Sequence, residues 1–234
     1  PNGANEAYTL RRLGAGRLRV EAASLWAVAR GAATLIMGAS RRRGAHVCGV
    51  RGRVFGVRDE AEYAHRGLLV DSARGELPVE HVLRVVRLLG LLKMNVLHWH
   101  LADDQAFTLD LGGNLSALAH GPPLARRLLY SRADVARVVA AARGWAVRVV
   151  PELTMPGHAH GWHAVAGMVS VCPSFACSRP WSVPMMPFAE ATWRTLPAVV
   201  GAVAALFPDP VVHLGGDEVQ GACWTEDAAV RREM

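Results

Sequence analysis

The segment Asn95-Val96-Leu97-His98-Trp99-His100-Leu101-Ala102-Asp103-Asp104 decides the fold of this chain. Its first seven residues are mostly apolar, which is typical of a buried strand, and two acidic residues follow where that strand ends. A helix is predicted just before it, from Pro78 to about Leu92, because proline is tolerated in a first helical turn. A short apolar strand beside helices predicts an α/β fold built from parallel βα units with right-handed crossovers.

The same alternation of strand and helix recurs from about residue 65 onward. Further strands are predicted at Gly67–Asp71, Ala146–Val150 and Val211–Leu214, and further helices from Ser131 to about Arg143 and from Phe188 to about Phe207. Ser131 and Asp134 have the spacing of a capping box, which supports a helix start. Pro197 predicts a kink in the last helix, or its division into two pieces.

Residues 1–62 show a different pattern, with short strands around a single helix. The helix is predicted from Leu25 to about Met37, with Ser24 as its N-cap. The chain is therefore expected to contain two regions, 1–62 and 63–234.

Polar side chains gather where the predicted strands end, and they are Asp71, Arg74, Asp103, Asp104, Glu152, His158, Asp217 and Glu218. In parallel α/β folds the chemistry lies at this edge of the sheet. Gly215 and Gly216 allow a ligand to approach the pair Asp217-Glu218 closely. Adjacent carboxylates push their pKa values apart, so that one can keep a proton and act as an acid. The alternative for this pair is a helix start that carries acidic residues near its positive end.

Composition excludes several classes of protein. The chain has 234 residues, of which 51% are hydrophobic and 20% charged, as in globular domains. The net charge of +6 comes from scattered arginines, with Lys93 as the single lysine, so a nucleic-acid partner is not expected. No apolar run reaches the roughly 18–20 residues of a membrane span, and no signal peptide is visible. The chain begins at Pro1 and stops at Met234, so we expect a fragment.

A metal-dependent hydrolase is a competing interpretation. His98 and His100 share one face of a predicted strand, as a metal-binding pair would, and further histidines follow at His158, His160 and His163. No HExxH motif is present, however, and histidines on strands are often hydrogen-bonded core groups. Arg74 likewise has two interpretations: it could bind two hydroxyls of a ligand, or form a surface ion pair.

Four ordered motifs resemble glycoside hydrolase family 20, the β-N-acetylhexosaminidases, and the animal-type lysosomal enzymes look most similar. The motifs are Arg66–Arg74 (RGLLVDSAR), Asn95–Phe107 (NVLHWHLADDQAF), Pro151–His158 (PELTMPGH) and His213–Val219 (HLGGDEV). The resemblance covers about residues 8–234. It implies a (β/α)₈ TIM-type barrel, with its first half at 63–234 and part of a small α+β domain at 1–62.

The resemblance also implies a reaction, the hydrolysis of terminal non-reducing β-linked N-acetyl-D-hexosamine by a retaining, substrate-assisted mechanism. Glu218 would be the general acid/base, and Asp217 would orient the 2-acetamido group, whose oxygen is the nucleophile. Arg74 would bind sugar hydroxyls. Asp103 and His158 would form a hydrogen-bonded relay behind Glu218. No metal or other cofactor is implied.

The expected partners follow from the same resemblance: glycans, glycolipids or chitin oligomers that end in N-acetylglucosamine or N-acetylgalactosamine, and a second copy in a homodimer. The resemblance also implies a lysosomal or secreted protein with a Cys172–Cys223 bridge. Cys48 and Cys177 have no counterpart in the family pattern.

Two departures from the family pattern favour an alternative. The family has an aspartate where this chain has Thr154, and Gly75-Glu76 replaces the histidine and aromatic residue that usually follow Arg74. Threonine cannot supply the charge of an aspartate. A degenerate member that binds such sugars without turnover is therefore the alternative function.

Overall fold

The structure, a computed structural model, describes residues 5–14, 16–41, 48–50, 56–119, 129–172 and 183–234. The chain forms two compact units that interleave along the sequence. The described residues of the first unit lie within Pro1–Leu68, Leu83–Leu97 and Ala140–Arg148. Those of the second unit lie within Leu69–Val82, His98–Val139 and Val149–Met234. The boundary expected between residues 62 and 63 stays a prediction.

The N-terminal elements are β1 (Tyr8–Arg12), β2 (Leu18–Ala22), α1 (Leu25–Gly38), β3 (Ala39–Arg41), β4 (Cys48–Val50) and β5 (Gly56–Asp59). Strand β1 lies between β2 and β5 in an antiparallel sheet, and β3 pairs with β4. Ser24 Oγ accepts a hydrogen bond from Ala27 N at 3.1 Å, which confirms the predicted N-cap of α1. Tyr8, Leu10 and Ala27 form the buried core between this sheet and α1.

The remaining elements are β6 (Gly67–Asp71), α2 (Val79–Leu91), β7 (Val96–Asp103), β8 (Ala106–Phe107), α3 (Ser116–Ala119), α4 (Arg132–Gly144), β9 (Arg148–Leu153), α5 (Glu190–Leu206), α6 (Gly221–Glu226) and α7 (Ala228–Glu233). Strand β7 is central and pairs with β6, with β9 and, at its end, with the short antiparallel β8. The predicted order of strands and helices is confirmed up to α5.

The predicted fourth strand at Val211–Leu214 is reduced to a single parallel bridge between Glu152 and His213. Gly215 adopts a left-handed conformation with φ 72°, which ends the extended backbone directly after Leu214. The next hydrogen bond, from Met155 N to Leu214 O at 2.9 Å, no longer follows a regular parallel ladder.

Local capping and turn signals account for the helices. Asp134 N donates to Ser131 Oγ and Ser131 N donates to Asp134 Oδ2, both at 3.1 Å, so the predicted capping box at the start of α4 is confirmed. Helix α5 runs continuously through Pro197, so of the two expected outcomes the division into two helices is wrong, and the kink stays a prediction. Proline removes one hydrogen bond, but the turns on both sides of it remain helical.

Aromatic side chains fill the core of the second unit. Trp99 is fully buried; its ring packs edge-on against Tyr130 at 4.7 Å and against Phe207 at 6.3 Å. Trp99 and Tyr130 both donate hydrogen bonds to Ser72 Oγ at 2.9 Å. Trp99 is therefore a core residue and does not face a ligand. Within the described part of the chain, no helix is both long and apolar enough to span a bilayer.

Candidate active site

Close backbone packing brings the segment with the two adjacent acids against the loop after β9. Gly216 and Glu218 both have positive φ, at 107° and 45°. A Cβ atom on Gly157 would lie 2.8 Å from the carbonyl oxygen of Asp217, so only glycine fits at this contact. The side chains of Asp217 and Glu218 are 61% and 70% exposed, which leaves both accessible to a ligand.

His158 connects Glu218 to the end of β7. Its Nε2 lies 3.2 Å from Glu218 Oε2 and 4.0 Å from Asp217 Oδ2. Its Nδ1 lies 3.0 Å from Asp104 Oδ2 and donates a hydrogen bond to this carboxylate. The Asp104 carboxylate fixes the tautomer with the proton on Nδ1, so Nε2 is the nitrogen that faces Glu218.

The expected relay consists of Asp103 and His158, but in the structure His158 is hydrogen-bonded to Asp104 and not to Asp103. Asp103 Oδ1 is 3.4 Å from His158 Nδ1, whereas Asp104 Oδ2 is hydrogen-bonded to that nitrogen. Strand β7 ends at Asp103, so Asp104 has left the alternation of the strand and can turn toward His158. Sequence analysis placed Asp104 at this edge but gave it no role.

Asp103 instead holds Arg74. Arg74 Nη2 donates to Asp103 Oδ2 at 2.8 Å, and Arg74 Nη1 lies 3.6 Å from Asp71 Oδ2. Burial raises the pKa of Asp103, although the Asp104 N–H and the Arg74 guanidinium counteract this shift. The Arg74 side chain is 47% exposed, so N–H groups that do not face these carboxylates are available to a ligand.

Thr154 occupies a buried position beside the same group of side chains. His100 Nε2 lies 2.7 Å from Thr154 Oγ1 and 3.3 Å from Asp103 Oδ2, while its Nδ1 lies 3.2 Å from Asp71 Oδ1. Burial lowers the pKa of His100, but the neighbouring Asp71 carboxylate outweighs this effect, and the pKa is raised overall. Thr154 therefore forms a hydrogen bond with His100 through a neutral hydroxyl. An aspartate at this position would also bring a full negative charge.

His98 and His100 do not converge on one site, contrary to the metal-pair interpretation. His98 Nε2 lies 2.6 Å from Glu152 Oε2, whereas His100 contacts Asp71 and Thr154. Glu152 Oε1 in turn lies 3.1 Å from His213 Nδ1. Burial raises the pKa of Glu152, but its histidine neighbours reverse the shift and hold it below the ordinary value. Sequence analysis had not grouped these three residues, because the grouping depends on the register between strands.

The Cys172–Cys223 pair expected from the resemblance is confirmed as a disulfide with Cα atoms 5.1 Å apart. Both cysteines are buried. The bridge joins the loop after β9 to α6, and so fixes the segment that follows Glu218. Cys177 lies outside the described residues.

These features together are those of an acid/base site at the ends of parallel strands, the class of site found in glycoside hydrolases. The family model for the catalytic domain of glycosyl hydrolase family 20 matches residues 63–234. The chain belongs to glycoside hydrolase family 20.

Known relatives agree with this assignment. The chain is 34% identical over 181 residues to β-hexosaminidase subunit A1 of Dictyostelium discoideum, covering 76% of this chain and 33% of the relative. It is 32% identical over 177 residues to the human β-hexosaminidase subunit beta, covering 75% and 32%. The chain therefore spans about a third of the length of the curated relatives it matches.

Solved structures of the family share the fold. A family 20 exo-β-N-acetylglucosaminidase from Vibrio harveyi superposes with a TM-score of 0.83 at 24% identity, over 98% of this chain and 38% of that one. A family 20 β-N-acetylhexosaminidase from Streptomyces coelicolor gives a TM-score of 0.75 at 25% identity, over 99% and 49%. The prediction of a partial (β/α)₈ barrel is thereby confirmed.

Proposed function

We propose that the protein hydrolyses terminal non-reducing β-linked N-acetyl-D-hexosamine residues with retention of configuration. The observation that carries this proposal is the 3.2 Å contact between His158 Nε2 and Glu218 Oε2, with Asp217 beside Glu218 and exposed with it. Support also comes from the names of the relatives, which are β-hexosaminidases.

The mechanism uses the substrate's own acetamido group as the nucleophile. Glu218 donates a proton to the glycosidic oxygen as the acetamido oxygen bonds to C1, which breaks the bond to the leaving group and forms an oxazolinium ion. Asp217 orients the acetamido group and stabilises the positive charge that it develops. Glu218 then takes a proton from the water that opens the ring. His158 holds the Glu218 carboxyl group through its Nε2, and Arg74 binds sugar hydroxyls. No step requires a metal or another cofactor.

The proposed substrates are glycans, glycolipids or chitin oligomers that end in N-acetylglucosamine or N-acetylgalactosamine. The proposed location is lysosomal or extracellular, where the Cys172–Cys223 disulfide would persist. A homodimer is proposed on the resemblance alone.

The test is the hydrolysis of an aryl β-N-acetylglucosaminide beside the matching aryl β-glucoside, which lacks the acetamido nucleophile. We expect release from the acetamido sugar only. Glu218→Gln should abolish turnover of substrates with poor leaving groups more severely than turnover of activated aryl substrates, because only the former need a proton. Equal losses for both classes would contradict an acid role for Glu218.

A second candidate function is binding of the same sugars without turnover. The buried Thr154 hydroxyl, at the position where the family carries a charge, favours it. A chain that binds N-acetylglucosamine in calorimetry, but releases no product from either aryl glycoside, would support this candidate against the first.

A further inference from the structure

His98, Glu152 and His213 form a compact group that the reaction above does not use. The three residues lie on β7, on β9 and at the parallel bridge beside β9, all within the second unit. Each offers one ligand atom, and these atoms all lie within 4.8 Å of one another. The Glu152 carboxylate lies between the two rings, with Oε2 near His98 Nε2 and Oε1 near His213 Nδ1. The rings themselves are 4.8 Å apart.

The surroundings of His98 add a separate observation. Its Nε2 is buried and makes no aligned hydrogen bond, although Glu152 Oε2 lies only 2.6 Å away. A buried ring nitrogen that faces a carboxylate off the hydrogen-bonding direction leaves polar capacity unsatisfied. A cation bound to both atoms would satisfy both.

We propose that His98, Glu152 and His213 bind one divalent transition-metal ion of the zinc type. Two imidazole nitrogens and one carboxylate oxygen are a donor set that suits zinc and its neighbours and that leaves positions open for water. The His213 side chain is 48% exposed, so an ion can enter from solvent. Ligand atoms around tetrahedral zinc lie about 3.4 Å apart. His98 Nε2 and Glu152 Oε2, now 2.6 Å apart, must therefore separate when the ion binds.

Binding of the ion would break one hydrogen bond that the structure contains. Gly215 N donates a hydrogen bond to His213 Nδ1 at 3.0 Å. An imidazole nitrogen has one lone pair, so a metal ion on Nδ1 displaces this hydrogen bond. The ion therefore competes with the Gly215–His213 hydrogen bond, which lies in the segment that leads to Asp217 and Glu218. Protons compete as well, and the affinity falls as the pH is lowered.

The site differs from the other group of metal-ligand type among the described residues, Asp103, Asp104 and His158, which belongs to the relay behind Glu218. The proposal is also independent of the hydrolysis reaction, because it assigns the ion no catalytic step. Its test therefore needs no turnover.

The experiment is a titration of the full chain with Zn²⁺ by calorimetry and with Co²⁺ by visible d–d absorption. Cys48→Ser and Cys177→Ser serve as the common background, because they remove the two cysteines that are not in the Cys172–Cys223 disulfide. We expect one ion per chain, and a rise in the thermal midpoint when zinc is present. Glu152→Gln and His213→Ala should each weaken binding about tenfold or more and abolish the thermal shift.

His163→Ala is the matched control, because the His163 ring stacks on His160 at 5.6 Å and offers a competing imidazole pair. Binding should be unchanged in this variant. Because the His213 side chain is 48% exposed, we expect the fold to survive its truncation, and circular dichroism of the metal-free His213→Ala chain checks this. The absence of saturable binding would overturn the proposal. Binding lost in His163→Ala but kept in His213→Ala would overturn it too.

Discussion

His158 lies between Asp104 and Glu218, with Nδ1 3.0 Å from Asp104 Oδ2 and Nε2 3.2 Å from Glu218 Oε2. The contact joins the end of β7 to the segment after the bridge at His213. Asp104 and His158 are buried while the Glu218 side chain is 70% exposed. The chain of contacts therefore runs from buried side chains to an exposed carboxyl group.

Asp104→Asn should lower kcat for an aryl β-N-acetylglucosaminide by about 10²-fold, with little change in KM. The amide removes the charge that fixes the His158 tautomer but preserves the shape of the side chain. Asp103→Asn is the comparison, because Asp103 holds Arg74 at 2.8 Å and its loss should raise KM. Steady-state kinetics of both variants separate the two roles. A pure KM effect in Asp104→Asn would contradict its role as a positioning residue for His158.

Gly157→Ala should reduce turnover by roughly 10²-fold, because the added Cβ would lie 2.8 Å from Asp217 O and would push the acidic pair out of place. Gly201→Ala in α5 is the matched control, since its Cβ would meet nothing within 4 Å. The control should keep its activity and gain about 0.4–1 kcal/mol of stability, as expected for alanine in a helix. Activity assays and urea unfolding measure both effects. Wild-type turnover in Gly157→Ala would show that the loop tolerates the shift.

Local signals in the sequence predicted much of the fold. The Ser131 and Asp134 capping box and the Ser24 N-cap form as expected, because each depends on residues three apart in the chain. The reduction of the fourth strand to a single bridge was not predicted, since it depends on the left-handed turn at Gly215, which packs closely against Thr154. A glycine in a sequence permits such a turn without requiring it.

The site was predicted as a group of residues at one sheet edge but not in its pairings. Adjacent carboxylates such as Asp103 and Asp104 look equivalent in a sequence, and only the end of β7 decides that Asp104 binds His158. The contact of Glu152 with His98 and His213 depends on the register of neighbouring strands, which single-sequence patterns do not contain.

Thr154→Asp should raise kcat about tenfold, which corresponds to about 1.4 kcal/mol of barrier. A carboxylate at this position would pair with His100, which now shares Asp103 Oδ2 with Arg74. Thr154→Asn is the uncharged control of similar shape. An equal gain in the asparagine variant would show that shape, and not charge, limits the reaction.

Acid unfolding should depend on Glu6, which is buried and paired with Arg30 at 2.9 Å. Burial raises the pKa of Glu6, but the hydrogen bonds from Arg30, Asn95 and Arg66 outweigh it, so the pKa lies below the ordinary value of 4.5. A lowered pKa in the folded state contributes stability above the unfolded value, and this contribution is lost as the pH falls through the folded value.

Glu6→Gln should therefore cost about 3 kcal/mol at pH 7, because it leaves the buried Arg30 without a counter-charge. Below pH 4.5 the cost should shrink toward zero. Urea unfolding at pH 7 and near pH 3 measures the difference, with Glu190→Gln as the exposed control. A cost that stayed constant with pH would mean that folding does not lower the pKa of Glu6.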